Sequence, residues 1–395
     1  MKKLIYIALC MGLMLNFTAC EDENTIGPLE NDGIAPGPIS NPTVENKHGA
    51  ATITYELPDA DDLMYVKASY ITDRGIHREA KASYYTNKID VTGFGSTNPY
   101  EVLLYVVDKG ENVSEPVSVT VNPLKPPFLI VSETIEVIED FGGIKVSFKN
   151  EGEDNIAIVV LANDSLGNFV PFNTNYTKLP GGDFSVRGLE PVETQFGIYI
   201  RDRWGNISDT TLLNLTPLYE ILLDKSKIKG VALPNDAPLG YGGHIGGLFN
   251  DTYDRSGGDY HTGDAARMPQ WFTFDLGEKA KLSRLTWWMR ADGTRWIYNL
   301  HNPRFVEIWG SNDPAPDGSW ESWELMAEHE QIKPSGLPVG QLTNDDIDAA
   351  EAGETVTFSP ETPAYRFIRF KTLRNWSDGT YVNFVEMTLW GQPIE

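Results

Sequence analysis

Two stretches of this chain repeat each other, and the repeat limits what each can fold into. YEVLLYVVDKGENVSEPVSVTVNPL (100–124) aligns with TQFGIYIRDRWGNISDTTLLNLTPL (194–218). Each reads as an apolar strand, an Asp, a basic residue, a turn, an Asn, a Val or Ile, a Ser and an acid, then a second strand ending in Pro-Leu. Asp108 matches Asp202, and Asn112 matches Asn206. A strand–turn–strand that starts at 100 and again at 194 predicts tandem β domains of sandwich size. The alternation in ATITYEL (51–57) is clean period two, and GGIKVSFKN (142–150) restarts the pattern in the second unit. With Gly 36 and Pro 25 in 395 residues, turn-rich β structure is expected throughout.

Acidic residues outnumber basic ones 56 to 32, a formal charge of −24. Such a surface repels nucleic acid and anionic lipid, so neither is expected as a partner. The chain has two cysteines, Cys10 and Cys20, both in the leading MKKLIYIALCMGLMLNFTAC. Two lysines, an apolar run and a small residue before a cysteine form a secretory signal too short to span a membrane. FTAC resembles the lipobox of bacterial lipoproteins, which implies cleavage before Cys20 and lipidation of that residue. The following EDENTIGPLENDGIAPGPISNP is acidic, rich in Pro and Gly and without periodicity, so it reads as a flexible spacer.

Beyond Ile221 the composition changes, and nine of the ten tryptophans lie there. Strands are expected at 271–277, 281–290, 304–311, 365–373 and 383–391. TNDDIDAAEAG (343–353) is the one helix, with Thr343 or Asn344 as cap, acids in its first turn and Gly353 at its end. PQWFTFDLGEKAKLSRLTW, VEIWGSNDPAPDGSWESWELM, YRFIRFKTL and FVEMTLWG resemble, in order, the signature of the discoidin or factor 5/8 type C jelly roll. That family includes many family 32 carbohydrate-binding modules. PTVENKHGAATITYELPDADDLMYVKASY resembles the start of a fibronectin type III domain.

The expected fold is therefore all-β: two tandem immunoglobulin/fibronectin-like sandwiches followed by a discoidin-like jelly roll. The expected divisions are a lipoprotein signal peptide (1–19), a tether (20–38), a fibronectin-like domain (39–124), a second sandwich (125–219) and the jelly roll (220–395). As a whole the chain resembles the outer-membrane glycan-binding lipoproteins of polysaccharide-utilisation systems. The resemblance implies a cell-surface protein held to the membrane by its lipid alone, with a polysaccharide or oligosaccharide and other outer-membrane glycan-uptake proteins as partners.

TWWMRADGTRWIYNLHNP (286–303) concentrates the residues a sugar needs. A sugar ring has an apolar C–H face and a rim of hydroxyls, so it is held by a flat aromatic and by forked or planar donors. If Leu285, Trp287 and Met289 face the core, Trp288 and Arg290 face away from it. Arg295, Trp296, Tyr298 and His301 follow in a loop, and TLRNWSDGTY (372–381) adds Arg374 and Trp376. Those eight residues are the expected carbohydrate contacts; Trp271, Trp287, Trp320 and Trp323 are expected in the core. Covering about 50–100 Å² of sugar face at ~25 cal/mol/Å² gives roughly 1–2.5 kcal/mol per aromatic.

The discoidin resemblance also implies a structural calcium between an Asp- and Gly-rich loop and the glutamate of the closing strand. Here these would be Asn250, Asp251 and Asp254, with Asp259 in the same loop, and Glu386. Clustered oxygen ligands suit Ca²⁺. SNDPAPDGSW (311–320) does not keep the spacing of a sialidase Asp-box, and no zinc-spaced His pair, Gly-x-Ser-x-Gly or phosphate loop occurs. A non-catalytic binder is expected. A protein-interaction or adhesion scaffold in an outer-membrane complex is the alternative, and a glycoside hydrolase comes after both.

Overall fold

The structure is a computed structural model that describes residues 33–164 and 166–394. The signal peptide, Cys20 and its proposed lipidation, and tether residues 20–32 lie outside the described residues. The chain divides into two compact units. One runs through Glu133 and takes in Ile200–Ser208; the other comprises Thr134–Tyr199 and Asp209–Glu395.

The first unit holds β1 (Ser40–Lys47), β2 (Ala50–Glu56), β3 (Leu63–Ile71), β4 (His77–Ser83), β5 (Lys88–Thr92), β6 (Tyr100–Asp108) and β7 (Val117–Val121), then the short helix α1 (Pro127–Ser132). A three-stranded sheet, β1-β2-β5, faces a four-stranded one, β4-β3-β6-β7. Alternation sets the faces: Val66, Ala68 and Tyr70 of β3 and Val102, Leu104 and Val106 of β6 join Ile53 and Val91 in one core.

The second unit begins with β8 (Glu136–Asp140), β9 (Gly143–Lys149), β10 (Ile156–Asn163), β11 (Phe169–Thr177), β12 (Gly181–Arg187), β13 (Thr194–Asp202, its last three residues counted with the first unit) and β14 (Thr211–Leu215). These form sheets β12-β9-β8 and β11-β10-β13-β14, the same three-plus-four arrangement. The sequence repeat is a structural one. In the β6–β7 connection the Asn112 N–H and side-chain amide donate to the two oxygens of Asp108 at 2.8 and 3.0 Å. In the β13–β14 connection Asn206 does the same to Asp202 at 2.9 and 2.8 Å. Ser114 and Ser208 then accept the backbone N–H of Val106 and Ile200, each at 2.9 Å.

The rest of this unit contains β15 (Ile221–Leu222), β16 (Lys229–Val231), β17 (Tyr260–His261), β18 (Gln270–Met289), β19 (Pro303–Ser311), β20 (Glu324–Glu330), α2 (Asn344–Ala352), β21 (Glu354–Thr357), β22 (Tyr365–Asn375) and β23 (Asn383–Pro393). The strand path is β15-β23-β18-β22-β19-β20, with β16 and β21 on β18 and β17 on β23. The strands expected at 271–277 and 281–290 are one strand, β18. Gly277 adopts φ +81 and donates its N–H to Asp275 Oδ1 at 2.8 Å, so the apparent gap is a bulge that the strand runs through. Register slips between Asp275 and Ala280, and β18 passes from pairing with β22 to pairing with β23 and β21.

Leu285 and Trp287 are fully buried with Phe272, Phe274, Ile308, Phe370, Phe384 and Leu389, as the alternation predicts. Trp323 is also buried, while Trp271 and Trp320 are half-covered. These three indoles gather around the guanidinium of Arg369, which lies 4.3 Å from the Trp323 ring and 4.5 Å from that of Trp320. Helix α2 is capped by Thr343, whose side chain accepts the Asp346 N–H while Asp346 accepts from the Thr343 N–H, a full capping box.

The buried Asp108 carboxylate leaves testable work to Asp108→Ala. It strands two Asn112 donors and should lower the stability of the first sandwich by about 1–3 kcal/mol. Calorimetry would register this as a downward shift of that unit's transition, with the C-terminal transition unmoved.

Candidate functional site

Four connections of the C-terminal sandwich converge, and buried asparagines hold three of them. Asn302 Oδ1 accepts the Arg290 N–H at 2.9 Å, and its amide donates to Trp296 O at 2.6 Å, closing the 290–302 loop. Asn375 Oδ1 accepts from the Ser377 and Gly379 N–H groups, and its amide donates to Tyr381 O at 2.6 Å. Asn383 donates to Asp259 Oδ2 at 2.6 Å and to Tyr260 O at 2.8 Å. The Asn302 and Asn375 carboxamides donate to and accept from backbone that no strand ladder satisfies, while Asn383 uses its amide to tie the Asp259 carboxylate and the Tyr260 carbonyl.

The fourth connection is a tight turn at Gly240–Gly243. The Gly243 N–H donates to Gly240 O at 2.8 Å, and the central residues Tyr241 and Gly242 have φ of +55 and +79. Positive φ at both central positions is the type I′ pattern. The turn is zipped to 261–263 through Gly240 N–H to His261 O (2.9 Å) and Gly263 N–H to Pro238 O (2.6 Å). A Cβ on Gly243 would stand 2.4 Å from the His261 nitrogen, so only glycine permits this approach.

These loops bring five rings together. Tyr241 lies 4.7 Å from His261, His261 lies 5.8 Å from His301, His301 lies 5.1 Å from Tyr381, and Trp296 lies 6.2 Å from His301. Tyr241 is exposed; Tyr381, His301 and Trp296 are half-buried, and His261 is buried. Asp264 accepts from the hydroxyls of both Tyr241 and Tyr381, the latter at 2.7 Å. Those two hydrogen bonds hold its carboxyl below the usual range. Arg290 stacks 3.5 Å over the Trp296 ring and makes a two-point pair with Asp292 at 2.6 and 3.0 Å. His261 Nδ1 lies 2.8 Å from Thr262 O, which assigns its proton to Nδ1 and leaves Nε2 as an acceptor. Burial first, then His261 and Arg290, lower the pKa of His301.

Of the eight residues expected to contact sugar, Arg290, Arg295, Trp296 and His301 meet here. Four do not. Trp288 leaves the core, as expected, but is covered: its indole N–H donates to Glu351 O of α2 at 3.0 Å, and Tyr253 packs edge-on at 4.8 Å. Tyr298 and Trp376 are buried against each other at 5.2 Å in a small core with Met289, Ile297 and Ala350. A ring used for packing offers no face to a ligand, so these two are corrected to core residues. Arg374 pairs with Asp378 at 2.5 Å and lies over Phe305, apart from the ring cluster. Sequence reasoning missed Tyr241, His261, Asp264 and Tyr381. The one local signal for them was the glycine run around Tyr241.

The expected calcium ligands separate. Asn250, Asp251 and Glu386 lie together, but the ammonium of Lys225 occupies their centre, 2.6 Å from Asp251 Oδ1 and 2.9 Å from Glu386 Oε1. Asp254 turns away to accept the Ser256 N–H at 2.7 Å, and Asp259 pairs with Arg255 at 2.9 Å. Among the described residues no group of three or more His, Cys, Asp or Glu side chains is placed to hold a metal ion. With a cation of the chain already in place, the donor set does not fit calcium.

Three family profiles match the chain, each described as a domain of unknown function: DUF4959 over residues 36–123, DUF5126 over 124–226 and DUF5000 over 249–391. No curated protein matches. Among solved structures, a SusE-like protein is 35% identical, in a match covering 68% of this chain and 100% of that one at a TM-score of 0.45. The C-terminal domain of a chitobiase from Bacteroides fragilis is 16% identical over 44% of this chain and 100% of that one, TM-score 0.30. A two-domain fibronectin type III segment of chicken tenascin is 14% identical over 45% of this chain and 99% of that one, TM-score 0.22.

Asn302→Ala should open the 290–302 loop and lower stability by about 2–4 kcal/mol, since it strands a buried N–H and a buried carbonyl at once. Urea unfolding of the C-terminal unit measures it. His301 gives a second test. Its folded pKa lies below the ordinary 6.5, so the unfolded chain takes up the proton first as pH falls. Stability should therefore decline from about pH 7 downwards until the folded pKa is passed, and His301→Asn should remove that part of the slope. Parallel pH profiles for the two proteins would refute the assignment.

Proposed function

Since the chain belongs to the SusE-like family, we propose that it is a non-catalytic cell-surface protein that captures a polysaccharide or oligosaccharide on the ring cluster of its C-terminal sandwich. The observation that carries this reading is one run of aromatic and imidazole rings, Tyr241, Tyr381, His301 and Trp296, packed on the buried His261 and edged by Asp264 and Arg290. Flat rings suit the C–H face of a sugar, and the carboxylate and guanidinium suit its hydroxyls. Non-glycine residues held at positive φ gather in the same loops, namely Tyr241, Tyr298, Leu300 and Asp378, and such strain accompanies binding sites.

Catalysis by a carboxylate pair is not part of the proposal. Asp264 is committed to two tyrosine hydroxyls and Asp292 to Arg290. Lipidation at Cys20 would tether the protein to the outer membrane, where other glycan-uptake proteins would be its neighbours. Among the described residues no helix is long and apolar enough to cross a membrane. A second reading, a protein-interaction scaffold, is favoured by one observation: Ile332, Leu337 and Val339 are exposed around a hollow of about 270 Å³ beside Arg304 and Trp376.

Affinity gels containing a panel of polysaccharides separate the readings, using the chain that begins after Cys20. Retardation by one class of glycan is expected, reversed by the soluble oligosaccharide. Trp296→Ala and Tyr241→Ala should each weaken it about tenfold or more and leave the melting temperature within a few degrees. Trp288→Ala should do the reverse, melting lower while still binding. Uniform migration of the unsubstituted chain across a broad panel would refute the glycan reading and favour the scaffold.

A further inference from the structure

We infer that Lys225 is a built-in cation, taking the place of a divalent metal in a clamp that ties the segment entering the C-terminal sandwich to its closing strand. Lys225 opens a short 3-10 turn just after β15, capped by Asp224, whose Oδ1 accepts the Ser226 N–H at 3.0 Å. Its side chain is only 9% exposed. The ammonium meets the fully buried carboxylate of Glu386 on β23 at 2.9 Å and Asp251 at 2.6 Å. The inference is independent of the glycan reading.

The arrangement around the pair explains why an ammonium suits it and a metal does not. Glu386 Oε2 accepts the Asn250 and Thr252 N–H groups at 3.3 and 3.2 Å, and Oε1 accepts the Met387 N–H at 3.0 Å. Those donors converge on one carboxylate and supply no oxygen. The Asn250 side chain is spent inside its own loop, accepting the Thr252 N–H and donating to Gly257 O, each at 2.8 Å. Calcium needs about six to eight oxygens at ~2.3–2.6 Å. Two carboxylates remain, facing a single positive charge delivered on a tether that is itself part of the fold. Asp251 is held at φ +59 to present its oxygen, a backbone conformation a side chain rarely adopts. A cation built into the chain is present at every calcium concentration and cannot be removed by a chelator.

Thermal unfolding of the full chain tests this. The unsubstituted protein should melt at the same temperature in millimolar calcium and in excess EDTA. Lys225→Met, which keeps the length of the side chain and removes its charge, should lower the C-terminal transition by about 10 °C. A calcium- or EDTA-dependent shift in the unsubstituted protein would overturn the inference, and this arm requires no variant to fold. Lys225→Met melting with the parent would overturn it too.

Discussion

The ring cluster depends on carboxamides that never reach the surface. A ligand-binding loop leaves the sheet and loses the ladder that would have satisfied its backbone, yet a rigid site cannot rely on solvent to replace it. Asn302, Asn375 and Asn383 resolve this, each nearly inaccessible: the first two join backbone groups of their own connections, and Asn383 ties the Tyr260 carbonyl to the Asp259 carboxylate. A carboxamide is suited to the task because it donates and accepts at once and carries no charge to desolvate. Lysine or glutamate at these positions would bring a buried ion without a partner. The backbone continues the network, with Trp376 N–H donating to Asn302 O, Ser377 N–H to Leu300 O and Asn383 N–H to His301 O. The loops therefore hold one another, and the rings they carry inherit that rigidity.

Charge is used inside the C-terminal unit in the same way, always with the partner supplied by the chain. Glu220 accepts from Arg187 of the second sandwich at 3.0 Å and pairs with Arg284 of the last sandwich at 3.3 Å, with the Ser283 hydroxyl at 2.5 Å. Arg369, fully buried, donates to Gly318 O at 3.0 Å and Thr273 Oγ1 at 3.2 Å, with Asp236 at 3.9 Å. Ion pairs of this kind gain little net stability over apolar packing, because desolvation offsets the attraction. Removing one member is a different matter, since it leaves the other buried and unpaired. Their contribution is to penalise wrong arrangements: a connection seated one residue out of place would leave an isolated charge.

What the sequence revealed and what it concealed follow from the range of the interactions concerned. Period-two alternation placed Leu285 and Trp287 inside, because the pleat alone decides it. The repeat located the Asp108–Asn112 and Asp202–Asn206 turns, whose contacts span four residues. The cap at Thr343 and the stop at Gly353 were legible for the same reason. Trp288 was assigned to the correct side of its strand but not to its covering, because Glu351 lies 63 residues away and Tyr253 on a separate loop. Tyr298 and Trp376 looked like exposed loop aromatics until the two loops packed on each other. Asp264 was concealed most completely: its partners Tyr241 and Tyr381 come from loops before and after it, 23 and 117 positions away, and no local pattern joins them.

The same prior pairing bears on which sugars the proposed site would favour. Asp264 is hydrogen-bonded by two tyrosine hydroxyls, which favour its charged form, and Arg290 is neutralised by Asp292 before any ligand arrives. An anionic sugar would find Arg290 already paired and would have to displace Asp292. A neutral one meets acceptors and donors whose orientation is fixed and whose remaining lone pairs and hydrogens are free, so little ordering accompanies binding. With roughly 1–2.5 kcal/mol from each ring face, two or three such contacts and a few hydrogen bonds bring a single site into the ~μM–mM range. A site of that strength retains a long polymer only when many copies engage it together. Surface display on a lipid tether would supply those copies, so the weak single site and the proposed anchor at Cys20 belong to one mechanism.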